Sequence, residues 1–243
     1  MNNGKNLKHA KKAKLKIDDH VYTIHEYGID YENNELYLFG NKNYIVGCGT
    51  EDGSLEEPGV EFTMANQFIM NLHLLMKKGP EEPILIHMKT CGGDWQEGMA
   101  IYDAIQYCPN PITILCYTHA RSMSSLIFLA ADKRVMFDHS RYMFHDGTFS
   151  YSGTVKQYLT EAEQIVKDTD DMLNTYVKAL KKSGKMKRWS KKRIRNWLTS
   201  EMNKKEEVYF SAKEAVEAGF AHEVFNGDWD KLKEYDSNML DID

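Results

Sequence analysis

Three short segments of the chain carry residues that could take part in catalysis. Gly92 and Gly93 stand where an apolar run gives way to a helical pattern, so two adjacent backbone amides can approach a ligand closely, as a phosphate site or an oxyanion hole requires. Ser122 begins an apolar helix directly after a strand, where the helix dipole would stabilise negative charge beside its hydroxyl. His145 ends a short strand just before Asp146 and Gly147, a position that suits an exposed imidazole base.

Each segment also has a simpler structural explanation. A single Gly-Gly pair usually marks a tight turn, and serine is one of the residues most favoured at a helix N-cap. Most histidines at strand ends have no chemical role. The three segments therefore become informative about function only when they are taken together.

The sequence offers little that could hold a metal ion or a nucleotide cofactor. The nine histidines form no His-x-x-x-His pair, and the four cysteines, at positions 48, 91, 108 and 116, form no Cys-x-x-Cys pair. No glycine-rich loop ends in Lys-Ser or Lys-Thr, and Gly-x-Gly-x-x-Gly is absent. We therefore expect no metal, no cofactor and no NTPase activity, and we interpret the cysteines as reduced thiols that are mostly buried.

Alternating strands and helices would position the three segments. Strand-like apolar runs alternate with segments of helical periodicity, which predicts βαβ units and a mainly parallel sheet. The predicted strands are Leu36–Phe39, Pro83–Met88, Pro111–Tyr117, Arg134–Phe137, Tyr142–Phe144 and Val208–Phe210. The predicted helices are Phe62–Met76, Trp95–Tyr107, Ser122–Ala131, Ser190–Thr199 and Ser211–Ala218, the last with a capping box of Ser211 and Glu214. Asn41–Gly59 reads as a loop or an excursion from the core.

One further helix is unusually long. A single apolar stripe runs from Thr154 to Lys182, which at about 1.5 Å per residue predicts a helix of roughly 40 Å. A compact domain of this size does not need such a helix. We therefore expect it to project and to pack on something outside its own core.

Length, composition and charge limit the class of protein. A chain of 243 residues with 42% hydrophobic residues can form one large domain or two small ones. No apolar run approaches the roughly 18 residues that span a membrane, and the lysine-rich start has no hydrophobic segment behind it. These features predict a cytoplasmic protein without a membrane span.

Charge is unevenly distributed around a net value of −5. Lysines dominate residues 5–16, a second basic block covers Lys181–Arg195, and Asp228–Asp243 is acidic. Such blocks could bind nucleic acid or an acidic partner. We interpret them as solvated ends and a solvated helix face, and we regard nucleic acid as an unlikely partner.

Taken together, the segments resemble the proteolytic subunit of the caseinolytic protease, the ClpP family. The similarity extends over residues 35–225, with the motifs in the family's order. The matching segments are Ile84–Ile86, Thr90–Gly93, Gly98–Asp103, Ala120–Met123, Ser140–His145 and Phe210–Gly219. The resemblance implies an α/β fold of the ClpP/crotonase type, with repeated ββα units and a long projecting handle helix.

The resemblance also implies a serine peptidase site. Ser122 would be the nucleophile and His145 the general base, with the backbone amides of Gly93 and Met123 as the oxyanion hole. Glu207 stands where the family has an aspartate as third triad member. A glutamate needs a shifted backbone or rotamer to reach the histidine, so Asp146 and Glu206 remain alternatives.

Substrate binding and assembly follow from the same resemblance. Extended substrate would lie along a strand from Asp146 to Tyr151, with Gly92, Asp146 and Gly147 as binding residues. The handle helix would join two heptameric rings into a tetradecamer that encloses the sites. A separate AAA+ unfoldase, or a ClpP-like paralogue, would be a further partner, and unfolded polypeptides would be the substrates.

Departures from the family pattern keep alternatives open. Thr118–Arg121 places a cation directly before Ser122, and Glu207 replaces the usual aspartate. These departures suggest a divergent member of the family. We expect it to be cytoplasmic, with a phage-encoded or an organellar protein as the alternatives. They also allow a catalytically inactive ring subunit. An acyl-CoA enzyme of the crotonase type is disfavoured by the Ser-His pair.

The expected organisation is a flexible basic segment at 1–20, a peptidase domain at 21–225 and an acidic tail at 226–243.

Overall fold

The computed structural model describes residues 19–39 and 59–235, together with the backbone of residues 45–47 and 56–58. The lysine-rich start, most of the predicted excursion at Asn41–Gly59 and the end of the acidic tail lie outside the described residues. Residues 19–27 are helical and lead into the first strand.

The described chain forms a mixed α/β fold, as predicted. The strands are β1 (Ile29–Asp30), β2 (Glu35–Leu38), β3 (Ile45–Gly47), β4 (Glu56–Pro58), β5 (Ile84–Thr90), β6 (Ile112–Arg121), β7 (Lys133–Met136), β8 (Arg141–Phe144), β9 (Val208–Ser211) and β10 (Glu223–Val224). The helices are α1 (Phe62–Met76), α2 (Trp95–Gln106), α3 (Met123–Leu129), α4 (Val155–Lys182), α5 (Lys191–Lys205) and α6 (Ala212–Ala218). Short 3-10 turns cover Lys185–Arg188 and Asp230–Lys233.

The main sheet runs in the order β1-β2-β5-β6-β7-β10. Strands β2, β5, β6, β7 and β10 are parallel to one another, whereas β1 pairs with β2 in the antiparallel direction. Helices α1, α2 and α3 form the crossovers from β2 to β5, from β5 to β6 and from β6 to β7. Strand residues such as Ile86, Ile114 and Met136 are fully buried against these helices. The carboxyl ends of the parallel strands therefore share one edge, where loops meet and a site can form.

Strand β6 is longer than its apolar run predicts. Its first half pairs with β7, and its second half, His119–Arg121, pairs in parallel with β8. The sequence prediction ended this strand at Tyr117 because the following residues are polar. Pairing with β8 satisfies the backbone groups of these polar residues, so the strand continues to Arg121.

The long helix α4 is confirmed. Thr154 caps its first turn in a capping box with Gln157. Only the C-terminal half is buried in the core, from Met172 to Leu180, while Val155 and Val166 are 76% and 70% exposed. The N-terminal half thus projects from the domain with an apolar stripe that the described part of the chain leaves exposed.

The start of the acidic segment packs on the sheet. Leu232 is buried against Leu85, Leu115 and Val135, and its carbonyl accepts a hydrogen bond from the Thr113 hydroxyl at 2.6 Å. Residues up to 235 therefore adjoin the domain. The predicted domain boundaries themselves remain predictions.

The cysteines differ from the prediction at one position. Cys108 and Cys116 are free, as expected, but Cys91 is disulfide-bonded. The expectation of reduced thiols is therefore wrong for Cys91. None of the described helices is both long enough and apolar enough to cross a membrane.

Candidate active site

Ser122 lies on a strained turn between β6 and α3. Its backbone has φ 50° and ψ −133°, and positive φ is uncommon outside glycine. Its side chain makes no capping hydrogen bond to the helix. Instead, its Oγ lies 2.9 Å from the Nε2 of His145. The N-cap explanation therefore does not account for this serine, and the strain is of the kind that clusters at functional sites.

Two neighbouring serines hold this turn, and the sequence reasoning missed both. The Ser124 hydroxyl accepts the Arg121 N–H at 3.0 Å and donates to the Thr90 carbonyl at 2.9 Å, which joins the ends of β5 and β6. The Ser125 hydroxyl lies 2.6 Å from the carbonyl of Ser122. The only sequence signal was two hydroxyls inside an otherwise apolar helix.

The glycine pair packs directly against the serine. Both glycines have positive φ, 101° at Gly92 and 149° at Gly93. A Cβ on Gly92 would lie 2.8 Å from the Ser122 Cβ and 3.0 Å from the Met123 nitrogen. The carbonyl of Gly92 accepts the Val60 N–H at 2.7 Å, which fixes the turn against α1. The structure thus brings the glycine turn, the serine and the Met123 amide together.

His145 follows the last residue of β8 and is partly buried. Burial is the largest influence on its pKa and lowers it, and the nearby Arg121 also lowers it. The carboxylates of Glu207, Asp146 and Glu206 act in the opposite direction without reversing the shift. The imidazole is therefore neutral at neutral pH and can accept a proton through Nε2.

Glu207 stands beside the histidine but is not hydrogen-bonded to it. Antiparallel pairing of Phe144 with Val208 places Glu207 opposite His145, just beyond the paired residues. Its carboxylate accepts a hydrogen bond from the Tyr209 hydroxyl at 2.8 Å. Among the described residues, no hydrogen bond joins the imidazole to a carboxylate. The role of Glu207 as the third triad member stays a prediction.

A groove of about 550 Å³ lies between these residues and α4. The predicted site residues that line it are Gly93, Ser122, Met123, His145, Asp146 and Gly147, whereas Gly92 and Glu207 do not. The opposite wall is formed by α4, including Glu161, Ile165 and Asp168. The groove is open enough for a peptide-sized ligand.

The expected substrate strand at Asp146–Tyr151 is absent. Strand β8 ends at Phe144, and residues 145–153 form no strand. The rings of Phe149 and Tyr151 instead stack at 6.1 Å, with Tyr158 of α4 packed beside them. The sequence could not show that aromatic packing on α4 competes with strand pairing in this segment.

No metal site accompanies the groove. In the part of the chain that the structure describes, no group of three or more histidine, cysteine, aspartate or glutamate residues is arranged to hold a metal ion. The contact between Ser122 and His145 places a hydroxyl beside a neutral imidazole, which is an arrangement suited to nucleophilic chemistry.

Comparison with known proteins gives a consistent result. A family model described as Clp protease matches residues 55–228. An ATP-dependent Clp protease proteolytic subunit of Deinococcus radiodurans is 30% identical over 159 residues, which are 65% of this chain and 74% of the relative. A protein of the same name from Staurastrum punctulatum is 30% identical over 163 residues, 66% of this chain and 75% of the relative.

Similarity to a solved structure supports the fold. A ClpP1 mutant from Listeria monocytogenes superposes with a TM-score of 0.61 at 19% sequence identity. The alignment covers 84% of this chain and 96% of that one. At this level of identity the likeness shows the fold alone.

Proposed function

Because this chain belongs to the Clp protease family, we propose that it is a serine endopeptidase subunit that hydrolyses peptide bonds of unfolded polypeptides. The observation that carries the proposal is the 2.9 Å contact between Ser122 Oγ and His145 Nε2. Twenty-three residues separate the two along the chain. Their convergence in a groove, with the serine on a strained backbone, is the arrangement that activates a hydroxyl nucleophile.

The proposed reaction proceeds in two steps. Ser122 Oγ attacks the peptide carbonyl carbon while its proton passes to Nε2 of His145, and the imidazolium then protonates the leaving amine. Water next attacks the resulting ester and gives a proton to His145. The bond between the acyl carbon and Ser122 Oγ then breaks, the imidazolium returns the proton to Oγ, and the carboxylic acid leaves. The N–H groups of Gly93 and Met123 would donate to the carbonyl oxygen as it gains negative charge.

Glu207 is the proposed third member, because it lies opposite His145 across β8 and β9. A carboxylate that accepts the Nδ1 proton of the imidazole fixes its tautomer and stabilises the imidazolium. Its Oε2 now accepts the Tyr209 hydroxyl, and the side chain must turn to bring an oxygen within hydrogen-bond reach of Nδ1. Binding of substrate or assembly of subunits could supply the change.

Substrate would bind in the groove beside Gly147, whose φ of 83° leaves an open backbone edge with nothing close to its Cβ position.

Subunits would assemble as heptameric rings, stacked in pairs through the projecting half of α4. Its exposed apolar side chains, Val155, Tyr158, Leu159 and Val166, are suited to such burial. A separate ATP-driven AAA+ unfoldase would deliver folded proteins.

A fluorophosphonate probe tests the proposal directly. We expect it to label the full-length chain at Ser122, and we expect purified protein to cleave an unstructured fluorogenic peptide. Ser122→Ala should abolish both, while Ser54→Ala serves as a matched serine control. An unlabelled wild-type chain without peptidase activity, in particles of ring size, would instead favour the second candidate.

That second candidate is a catalytically inactive ring subunit. The observation that favours it is the engagement of Glu207 with Tyr209 instead of the histidine. It predicts assembly without turnover. Measuring the mass in solution and the peptidase rate on the same sample separates the two functions.

A further inference from the structure

A second cavity, apart from the groove that holds Ser122, lies beside the C-terminal end of α4. Its volume is about 390 Å³, and it is enclosed by α2, the turn before β7, the end of α4 and the 3-10 turn that follows. Four lysines line it, at positions 178, 181, 182 and 187. Three of them, Lys181, Lys182 and Lys187, belong to the predicted basic block Lys181–Arg195. The proposed peptidase function gives that block no role.

A buried arginine adds positive charge to the same cavity. Arg134 is 4% exposed, and its guanidinium donates to the carbonyls of Phe220 and Ala131 and to the Ser183 hydroxyl. No carboxylate pairs with it among the described residues. Burial without such a partner lowers its pKa to about 10. The arginine is still charged at neutral pH, so it contributes a positive charge to the wall of the cavity.

The other titratable groups of the cavity do not offset this charge. His222 has its pKa lowered to about 3, first by burial and then by Arg134, so it is neutral. Asp132 is the one carboxylate among the lining residues. It accepts the Ile112 N–H at 2.8 Å, and burial raises its pKa. One carboxylate therefore faces five cationic side chains.

The lysines are arranged around the cavity without acidic partners. Lys181 donates to the carbonyls of Lys187 and Trp189 at 2.7 and 2.8 Å, which fixes the following turn and holds Lys187 at the cavity. Lys178 donates to the Gln106 side chain at 3.1 Å. Within the described residues, none of the four lysines forms an ion pair with a carboxylate. Lys182 and Lys187 are exposed at the cavity mouth.

The other basic residues of the block lie outside the cavity, and only two of them, Arg193 and Arg195, have a described side-chain partner. Arg195 pairs with Asp170 and donates to the Asn174 side chain, and Arg193 stacks on the Trp189 ring at 3.9 Å. Lys191 and Lys192 are exposed at the start of α5 and do not line the cavity. Lys185, Arg188, Lys191 and Lys192 also have no ion pair among the described residues and lie outside the cavity, so what distinguishes the cavity is that Lys178 and three lysines of the block line one concave site.

We propose that this cavity binds a small anion carrying two or more linked phosphates, either as inorganic polyphosphate or as the phosphate chain of a nucleotide. Several ammonium groups around one concave site suit an anion with several charged oxygens, and lysine is a common phosphate ligand. A single monovalent anion would leave most of the positive charge unmatched. The proposal does not depend on peptidase activity, because none of the groove residues takes part.

Calorimetric titration of the full-length chain with inorganic tripolyphosphate tests the proposal. The double variant Lys182→Gln, Lys187→Gln removes two charges at the cavity mouth while keeping a polar side chain at each position. Lys191→Gln, Lys192→Gln removes the same charge from the same block outside the cavity. We expect wild-type binding at submillimolar concentration, at least about tenfold weaker binding in the first variant, and less than a twofold change in the second.

Parallel titrations distinguish the source of the phosphate. Tighter binding of ATP than of tripolyphosphate supports a nucleotide, and equal binding supports the phosphate chain alone. No wild-type binding at millimolar tripolyphosphate would overturn the proposal. Equal weakening in both double variants would overturn it too, since it would show a diffuse surface attraction of the kind that also retains nucleic acid. Binding of citrate as tight as that of tripolyphosphate would exclude phosphate as the preferred class.

Discussion

Glu207 lies opposite His145 across the antiparallel strands β8 and β9, yet its carboxylate accepts a hydrogen bond from Tyr209 and not from the imidazole. Tyr209 lies in β9, two residues after Glu207, and in extended backbone side chains two residues apart share one face. The carboxylate has two oxygens and could accept both donors, but the bond from Tyr209 holds Glu207 in an orientation in which it makes no hydrogen bond to the histidine. If Glu207 orients His145, we expect the Tyr209 bond to oppose that role.

Tyr209→Phe should raise peptide turnover, because it frees Glu207 to accept from the imidazole. Glu207→Gln should lower turnover by roughly tenfold or more, since a carboxylate that orients the base and stabilises its charged form is lost. Values of kcat and KM with a fluorogenic peptide separate catalytic effects from binding effects.

The double variant Tyr209→Phe, Glu207→Gln is the control for this pair. If tyrosine acts only through the glutamate, its removal has no effect once Glu207 is replaced. An increase of turnover in the double variant would show a different role for the tyrosine. Unchanged turnover in Glu207→Gln alone would assign the orienting role to another acid.

Arg121 should set the lower limit of the active pH range. Burial lowers the pKa of His145, and the positive charge of Arg121 lowers it further, so the base stays neutral to a lower pH than an exposed histidine. Peptide turnover requires the neutral form, so kcat/KM rises with pH through this pKa. Arg121→Gln should move that rise to higher pH.

Glu207→Gln should move the rise of kcat/KM to lower pH, because the carboxylate that it removes raises the pKa of His145. In this variant we therefore expect kcat/KM to reach half of its plateau at a lower pH than in the wild type. The measurement is a profile of kcat/KM between pH 4.5 and 8.5 for the three proteins, in steps of about half a unit, a range that brackets the ordinary histidine value of about 6.5. If kcat/KM rose at the same pH in all three proteins, the assignment of the titrating group to His145 would be contradicted.

Gly92→Ala should reduce activity more than it reduces stability. The added methyl would lie 2.8 Å from the Ser122 Cβ and 2.9 Å from the Arg121 carbonyl, so the nucleophile must move. A displacement of the nucleophile by about 1 Å can cost a hundredfold in rate. Gly227→Ala is the matched control, because Gly227 also has positive φ, 92°, but has nothing within 4 Å of a Cβ.

Both alanine variants should share a backbone cost of about 1 kcal/mol in the free energy of unfolding, since each forces alanine into the left-handed region. Only the variant at Gly92 should lose peptidase activity and probe labelling. Equal activity of the two would show that the serine position tolerates the crowding.

The sequence predicted most of the fold because apolar periodicity is a local signal. Helix α4 and the capping box of Ser211 and Glu214 are confirmed at nearly the predicted residues. The continuation of β6 to Arg121 was missed, because it depends on pairing with β8, a contact between distant segments. A single sequence carries no direct signal for such a contact.

The site was predictable in part for the same reason. Ser122 and His145 were singled out from their local sequence positions, and the resemblance assigned them the roles of nucleophile and base, which stay predictions. The structure places the two side chains 2.9 Å apart. The engagement of Tyr209 with Glu207 was not foreseen, because a hydroxyl and a carboxylate two residues apart can point to many partners. Likewise, the disulfide at Cys91 depends on a partner elsewhere in the chain, which spacing alone does not identify.

His222 should make the fold sensitive to acid. Its Nδ1 accepts the Arg134 N–H at 3.1 Å, and burial lowers its pKa to about 3. Above about pH 6.5 the histidine is neutral in both the folded and the unfolded chain. Between that value and about 3, the unfolded chain binds a proton that the folded chain does not, so the free energy of unfolding falls by about 1.4 kcal/mol per pH unit.

His222→Asn keeps a hydrogen-bond acceptor at this position but does not titrate. The variant should therefore lose less stability than the wild type when the pH is lowered from about 7.5 to 5.5, by a difference of about 1.4 kcal/mol, because one pH unit of that interval lies below the unfolded pKa. Urea unfolding at both pH values, at one protein concentration, gives the comparison. A parallel fall in the two proteins would show that His222 protonates in the folded chain as readily as in the unfolded one, which would refute its burial as a neutral acceptor.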